Sequence, residues 1–273
     1  NRWCFIAGRN SFFEHGSRTF DGVKNKDRSK EDKIRYQLLF LPIEKNTIMK
    51  ILVTGGAGLI GSNVVRHFTN LGYEIHVADN LWRGRIENLH DEGQEIIDLN
   101  SQFHQYDLRD YENCLKASKD IDVVVHLADI VAGINFVFSN ELFLYRANIV
   151  MNSNMLDAAI QNKVQKYIYV GTACSYPEEM QLELNPPPFK EEDAYPARPE
   201  SAYGWSKLMG EYECELAQKQ HTIKIGIVRL HNVYGPPCEM SPEKSQVIPA
   251  LCRKAINYPH EDFIVWGSGN QRR

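Results

Sequence analysis

The stretch Lys50-Ile-Leu-Val-Thr54-Gly55-Gly56-Ala57-Gly58-Leu59-Ile60-Gly61 constrains this chain more than any other. A short apolar run reads as a buried strand, and three glycines spaced by three open the apolar periodicity of a helix. Each glycine has a mechanical use there. Gly55 permits a tight turn, Gly58 lets backbone approach a pyrophosphate, and Gly61 lets helix and strand pack closely. The phosphates then sit on the helix N-terminus, at the amides of Leu59, Ile60 and Gly61. Asp79 closes the second apolar run 18 residues beyond Gly61, where a carboxylate can accept from ribose hydroxyls. An acid at that position repels a 2′-phosphate, so NAD is favoured over NADP.

Beyond this loop, β-branched apolar runs alternate with amphipathic stretches, the pattern of βαβ units and a parallel sheet. The expectation is an α/β, Rossmann-like, doubly wound fold. Strands are expected at Lys50–Thr54, Glu74–Ala78, Gln102–Tyr106, Asp122–His126, Lys166–Val170, Lys224–Leu230 and Phe263–Trp266. Helices are expected at Ile60–Leu71, Tyr111–Ala117, Glu141–Asn162, Ala202–Gln220 and Val247–Asn257. Six prolines between Pro177 and Pro199 exclude regular structure from that segment. Asp107-Leu108 after the third strand reads in two ways, as an adenine contact or as a capping acid beside a core leucine.

Composition narrows the class. In 273 residues, 43% are hydrophobic and 24% charged, which is globular, with no run long enough to span a bilayer. Residues 1–48 hold ten Lys/Arg against six Asp/Glu, so the formal charge of −4 becomes −8 for residues 49–273. An acidic body argues against nucleic acid as a partner. Six cysteines show no Cys-x-x-Cys pair and no metal-ligand spacing, which suits a reducing cytoplasm. Residues 1–48 lack clear periodicity and precede an abrupt start at Met49; an upstream remnant, an extension and a start-site artefact all fit them.

Two constellations carry chemistry. Tyr203-Gly-Trp-Ser-Lys207 puts a phenol and an ammonium at i and i+4, on one helix face, where the cation should lower the phenol toward the range of a general base. Gly171-Thr172-Ala173-Cys174 ends a strand at the carboxyl edge of the sheet, where ligands sit in such folds. Thr172 could orient a reacting hydroxyl. Taken alone, Cys174 reads as a small buried hydrophobe.

Residues 49–273 resemble the extended short-chain dehydrogenase/reductase superfamily and its NAD-dependent epimerase/dehydratases. The residues that carry this are Thr54-Gly55-x-x-Gly58-x-x-Gly61, Thr172-Ala-Cys174-x-Tyr-Pro177, Tyr203-Gly-x-x-Lys207, Arg229-x-His231-Asn232-x-Tyr-Gly235-Pro236, Cys252-Arg-Lys-Ala255 and Trp266-Gly-x-Gly-x-Gln271. The nearest branch is that of the GDP-mannose 3,5-epimerases. The resemblance implies a nucleotide-sugar substrate, GDP-hexose favoured, a transient 4-keto sugar and a homodimer built on the two long helices. It also implies roles: Tyr203 as acid/base, Lys207 on the nicotinamide ribose, Thr172 on the sugar hydroxyl, and Cys174 as a proton carrier at C3 or C5. Asn232, Lys244 and Arg273 become substrate contacts, with a frayed terminal charge the other reading of Arg273.

The chain departs from that pattern twice. Thr172 stands for the usual Ser, and Gln246 falls where the family has a second proton-carrying lysine, with Lys244 the only basic neighbour in that run. A UDP-hexose 4-epimerase, which needs only the Tyr, Lys and Thr set, and a GDP-fucose synthase-like enzyme are therefore the alternatives. A non-catalytic dinucleotide sensor would have no use for Tyr203 and Lys207. The domain expectation is an extension at 1–48, a cofactor domain at 49–235 and, at 236–273, the start of a substrate lobe that is truncated at its C-terminus.

Overall fold

The computed structural model describes residues 48–182, 188–242 and 244–265. In chain order its elements are β1 (Lys50–Thr54), α1 (Leu59–Asn70), β2 (Glu74–Ala78), a hairpin of β3 (His90–Asp91) and β4 (Gln94–Glu95), β5 (Phe103–His104), α2 (Tyr111–Ala117), β6 (Val123–His126), α3 (Ile134–Ser139), α4 (Glu141–Gln161), β7 (Lys166–Thr172), α5 (Glu178–Leu182), α6 (Ala202–Gln220), β8 (Lys224–Leu230) and α7 (Val247–Asn257). Six strands form one sheet in the order β5-β2-β1-β6-β7-β8, every pair parallel. The chain starts at the middle, winds to one edge, returns and winds to the other, so the loops after β1 and β6 diverge at the carboxyl end and leave a crevice there.

The alternation of side chains along each strand divides the core between two faces. Ile51 and Val53 of β1 point to one face and pack with Ile75, Val77, Val123 and Val125 beneath Val64, Val65 and Phe68 of α1. Leu52 and Val124 point to the other, with Tyr167 and Tyr169 of β7, under α2, α4 and α6. The doubly wound α/β expectation holds.

Four local expectations are corrected. The third strand is reduced to Phe103–His104 because it pairs only with Val77 and Ala78 at the sheet edge. The Pro-rich segment holds the helical turn α5 and a 3-10 turn at Glu191–Ala194, since the prolines flank these turns and leave their amides intact. Helix α3 was not anticipated. Residues 263–265 form no strand; they are exposed and no neighbouring strand offers them a ladder, while Trp266 lies outside the described residues.

A buried chain of hydrogen bonds crosses the sheet. The Thr54 hydroxyl, which accepts from the amides of Leu127 and Ala128 at 3.1 Å each, donates to His126 Nδ1 at 2.8 Å. His126 Nε2 donates to Asn152 Oδ1 at 3.0 Å, Asn152 Nδ2 to the Tyr169 hydroxyl at 3.1 Å, and that hydroxyl to the Lys207 carbonyl at 3.2 Å. Neutral His126 with its proton on Nε2 satisfies every member. Burial first, and then the Lys207 charge, push His126 down to about 3.

The sign of the pH effect follows. Between the ordinary imidazole value and about 3 only the unfolded chain takes up this proton, so stability is lost as pH falls through that window. One proton corresponds to about 1.4 kcal/mol per pH unit. Melting temperature should therefore fall more steeply below pH 6.5 in the wild type than in His126→Asn. Parallel curves for the two proteins would remove His126 as the acid-sensitive group.

Candidate active site

The site is built on the loops that leave β1, β2, β6 and β7 and on the first turns of α6. After β1 the chain turns at Gly55, whose φ is 67°, and enters α1 with Gly58 as N-cap. No side chain caps this helix, so its first amides are left for an anion. Gly61 is required by close approach: a Cβ there would lie 2.2 Å from the Gly55 carbonyl oxygen. This cradle fits a dinucleotide pyrophosphate.

Asp79 sits where the sequence places it, at the end of β2, and is buried. Its two oxygens accept from Ala57 N at 3.0 Å and Leu81 N at 2.8 Å, which braces the glycine loop. Burial raises its pKa and these two amides oppose the rise. The same carboxylate thus has a structural duty beside any ribose contact. Of the next pair, Leu108 is a core residue, and Asp107 forms an ion pair with Arg109, Oδ2 to Nη2 at 2.5 Å.

Tyr203 and Lys207 share one face of α6 as expected, and Glu211 continues that face. Each finds a different partner. Glu211 is locked by Arg229 through bonds of 2.7 to 3.1 Å, while Arg229 Nη1 reaches the Glu191 carbonyl at 2.7 Å and so pins the Pro-rich segment. Lys207, 2% exposed, lies 3.6 Å from Asp129 Oδ2 and 4.6 Å above the Tyr169 ring. The Asp129 carboxylate also faces the Tyr203 hydroxyl. Burial and then Asp129 hold the Tyr203 phenol well above its ordinary value. The expected lowering by Lys207 is corrected: burial raises the phenol, and a carboxylate that faces both the ammonium and the phenol adds to the rise.

Cys174 and Thr172 come to the same place. Thr172 Oγ1 accepts from Cys174 N at 3.2 Å, which folds residues 173–175 into a 3-10 turn. The turn packs on the start of α6, where a Cβ on Gly204 would lie 2.2 Å from the Cys174 carbonyl oxygen. This close approach puts Cys174 within electrostatic reach of Tyr203. The remaining expected contacts are more peripheral. Asn232 is exposed after β8, and Lys244 donates to the Trp82 carbonyl at 2.5 Å and covers the Trp82 ring, which ties the segment before α7 to the loop after β2. Arg273 lies outside the described residues.

Sequence reasoning missed Asp129 and Arg83. Arg83 donates to the Val131 carbonyl at 3.1 Å and lies within reach of the charges of Tyr203 and Asp129. The signal for Asp129 was present, an acid just past the carboxyl end of a central parallel strand.

The model of the NAD dependent epimerase/dehydratase family matches residues 51–273. The chain belongs to that family. It is 36% identical over 225 residues to GDP-mannose 3,5-epimerase of Arabidopsis thaliana, covering 82% of this chain and 57% of that protein. It is 30% identical over 227 residues to a putative UDP-glucose 4-epimerase of Methanocaldococcus jannaschii, covering 82% and 68%. Among solved structures, UDP-glucose 4-epimerase of Thermotoga maritima with UDP-glucose superposes with a TM-score of 0.67 at 28% identity, over 81% of this chain and 67% of that one. The Thermus thermophilus UDP-glucose 4-epimerase complex with NAD gives 0.59 at 30% identity, over 71% and 58%. The chain spans 57–58% of the length of the plant relatives it matches.

The glycine geometry makes a graded prediction. A Cβ on Gly58 would meet only the Gly55 carbonyl oxygen, at 3.3 Å, whereas on Gly61 it would collide with three backbone atoms. Gly61→Ala should lower stability by about 1–3 kcal/mol and abolish dinucleotide binding, with Gly58→Ala nearer wild type in melting temperature. Equal melting temperatures for the two variants would contradict the packing described.

Proposed function

We propose that the chain is the cofactor and catalytic part of an NAD-dependent nucleotide-sugar epimerase, GDP-mannose 3,5-epimerase-like, acting through a transient 4-keto-hexose. The observation that carries this reading is the convergence of Tyr203, Lys207, Thr172 and Cys174 at the carboxyl edge of the sheet beside the glycine loop. The 36% identity to a GDP-mannose 3,5-epimerase supports a GDP-hexose. NAD would be held by the loop of Gly55, Gly58 and Gly61, the amides of Leu59 and Ile60, the carboxylate of Asp79, and Asp107 at the adenine, with Leu108 in the core behind it. When bound, it supplies a hydride acceptor that later returns the hydride.

The protein's own groups handle the protons. Tyr203, once its proton is gone, takes the proton of the C4 hydroxyl as the C4–H hydride leaves, with Thr172 orienting that hydroxyl and Lys207 holding the ribose. The resulting ketone acidifies the protons at C3 and C5, and Cys174 moves a proton at one of these carbons, with solvent-exchangeable protons completing the transfer. Asn232 and Lys244 line the approach of the sugar nucleotide. Because the phenol begins protonated, activity should rise with pH.

Three further parts belong to this reading. Residues 1–48 are an extension, 49–235 the cofactor domain and 236–273 the start of the substrate lobe. A homodimer would pair α4 and α6, whose Leu142, Phe143, Val150, Tyr212 and Leu216 are exposed apolar side chains on adjacent helices. We place the protein in the reducing cytoplasm, where thiols such as Cys114 and Cys214, pushed up to about 12 by burial, stay unreacted. No described helix is long and apolar enough to cross a membrane.

A UDP-hexose 4-epimerase is the second reading, favoured by Gln246, which caps the start of α7 where a proton-carrying lysine is needed. Incubation with GDP-mannose and, separately, with UDP-hexoses in deuterated water followed by mass analysis separates the two. Solvent deuterium should enter the sugar in the wild type and not in Cys174→Ala. Inversion at C4 with no uptake would replace the first reading by the second.

A further inference from the structure

Asp129 is the least explained group in the site. It follows His126-Leu127-Ala128 at the carboxyl end of β6, and the backbone amide of Ala128 is held by Thr54, the residue immediately before the glycine loop. Its side chain is 9% exposed. One oxygen, Oδ2, faces the Lys207 ammonium at 3.6 Å. The other, Oδ1, is fully buried and has no hydrogen-bond partner among the described residues. An ionised oxygen left in that condition is costly, and a carboxylate can only accept, so what it lacks is a donor.

The surroundings define that donor. Asp129 lies on the path from the phosphate-binding turn to Lys207, and the two side chains together present one acceptor and one cationic donor side by side. Such a pair matches a vicinal diol, in which one hydroxyl donates while its neighbour accepts. We propose that Asp129 is a second ligand of the ribose diol on the nicotinamide side of the dinucleotide, beside Lys207, with Asp129 Oδ1 accepting from one hydroxyl. This rests on the reading of the chain as a dinucleotide-dependent enzyme, and it adds a second duty. The carboxylate that binds the diol is also the charge that faces Tyr203, so occupancy of the ribose and protonation of the phenol are coupled. The other charged or titratable groups around this phenol are Arg83 after β2, Tyr169 in β7, Cys174 after β7 and Lys207 in α6.

The test uses calorimetric titration of the cofactor-free protein with three probes: NAD, ADP-ribose, which keeps the second ribose, and ADP, which lacks it. Asp129→Asn should weaken NAD and ADP-ribose about tenfold to a hundredfold and leave ADP unchanged, since hydrogen bonds to charged groups are worth that much. Asp129→Ser is read in parallel, and retained ADP binding certifies that each variant is folded. Unchanged ADP-ribose affinity, or loss confined to NAD, overturns the assignment. Failure of the wild type to bind NAD sinks the functional reading instead, which keeps the two separable. A second measurement follows phenol ionisation by ultraviolet difference spectra. The step lost in Tyr203→Phe should move to lower pH in Asp129→Asn, and an unmoved step overturns the coupling.

Discussion

The structure depends on one continuous buried line of hydrogen bonds, from Thr54 through His126, Asn152 and Tyr169 to the backbone of Lys207. It touches three strands and two helices and joins the strand that feeds the glycine loop to the helix that carries Tyr203 and Lys207. Hydrophobic burial against both faces of the sheet supplies most of the driving force, but it is non-directional and tolerates sliding. Polar groups sealed from water are less forgiving, because each must keep its partner. The line therefore fixes where α6 sits along the sheet.

Around this frame the charges are arranged in opposing pairs. Asp129 answers Lys207 and Arg229 answers Glu211, each largely out of solvent, so no isolated charge of this stripe is left in the interior. The buried charges along this face of α6 are thus balanced in pairs.

The fold was largely legible because its determinants are local. Alternating apolar periods gave β1, β2, β6 and the long helices almost residue for residue, and the glycine spacing could serve only one kind of turn. The short strand at 103–104 and the coil at 263–265 were misjudged because a strand's existence depends on its neighbour, which periodicity does not encode. In the site, Tyr203, Lys207, Thr172 and Cys174 were visible as motifs. Asp129 was not, since its importance comes from a lysine 78 positions away that only the packing of α6 on the sheet brings near. The same contact reversed the expected effect of Lys207 on Tyr203: spacing on a helix says which groups share a face, but not which charge from another element stands between them.

The stripe Tyr203, Lys207, Glu211 has a mechanical corollary. One helix carries Tyr203 at its first turn and the Arg229 strut two turns on, about 12 Å along the axis at 1.5 Å per residue. The strut acts as a rotational stop. Turning α6 by a single residue would swing the phenol through about 100° while leaving the helix ends and its apolar packing nearly unchanged. Orientation of the Tyr203 hydroxyl is thus enforced from the far end of a lever, which leaves side chains near the first turn free to vary in size and polarity without the phenol losing its direction.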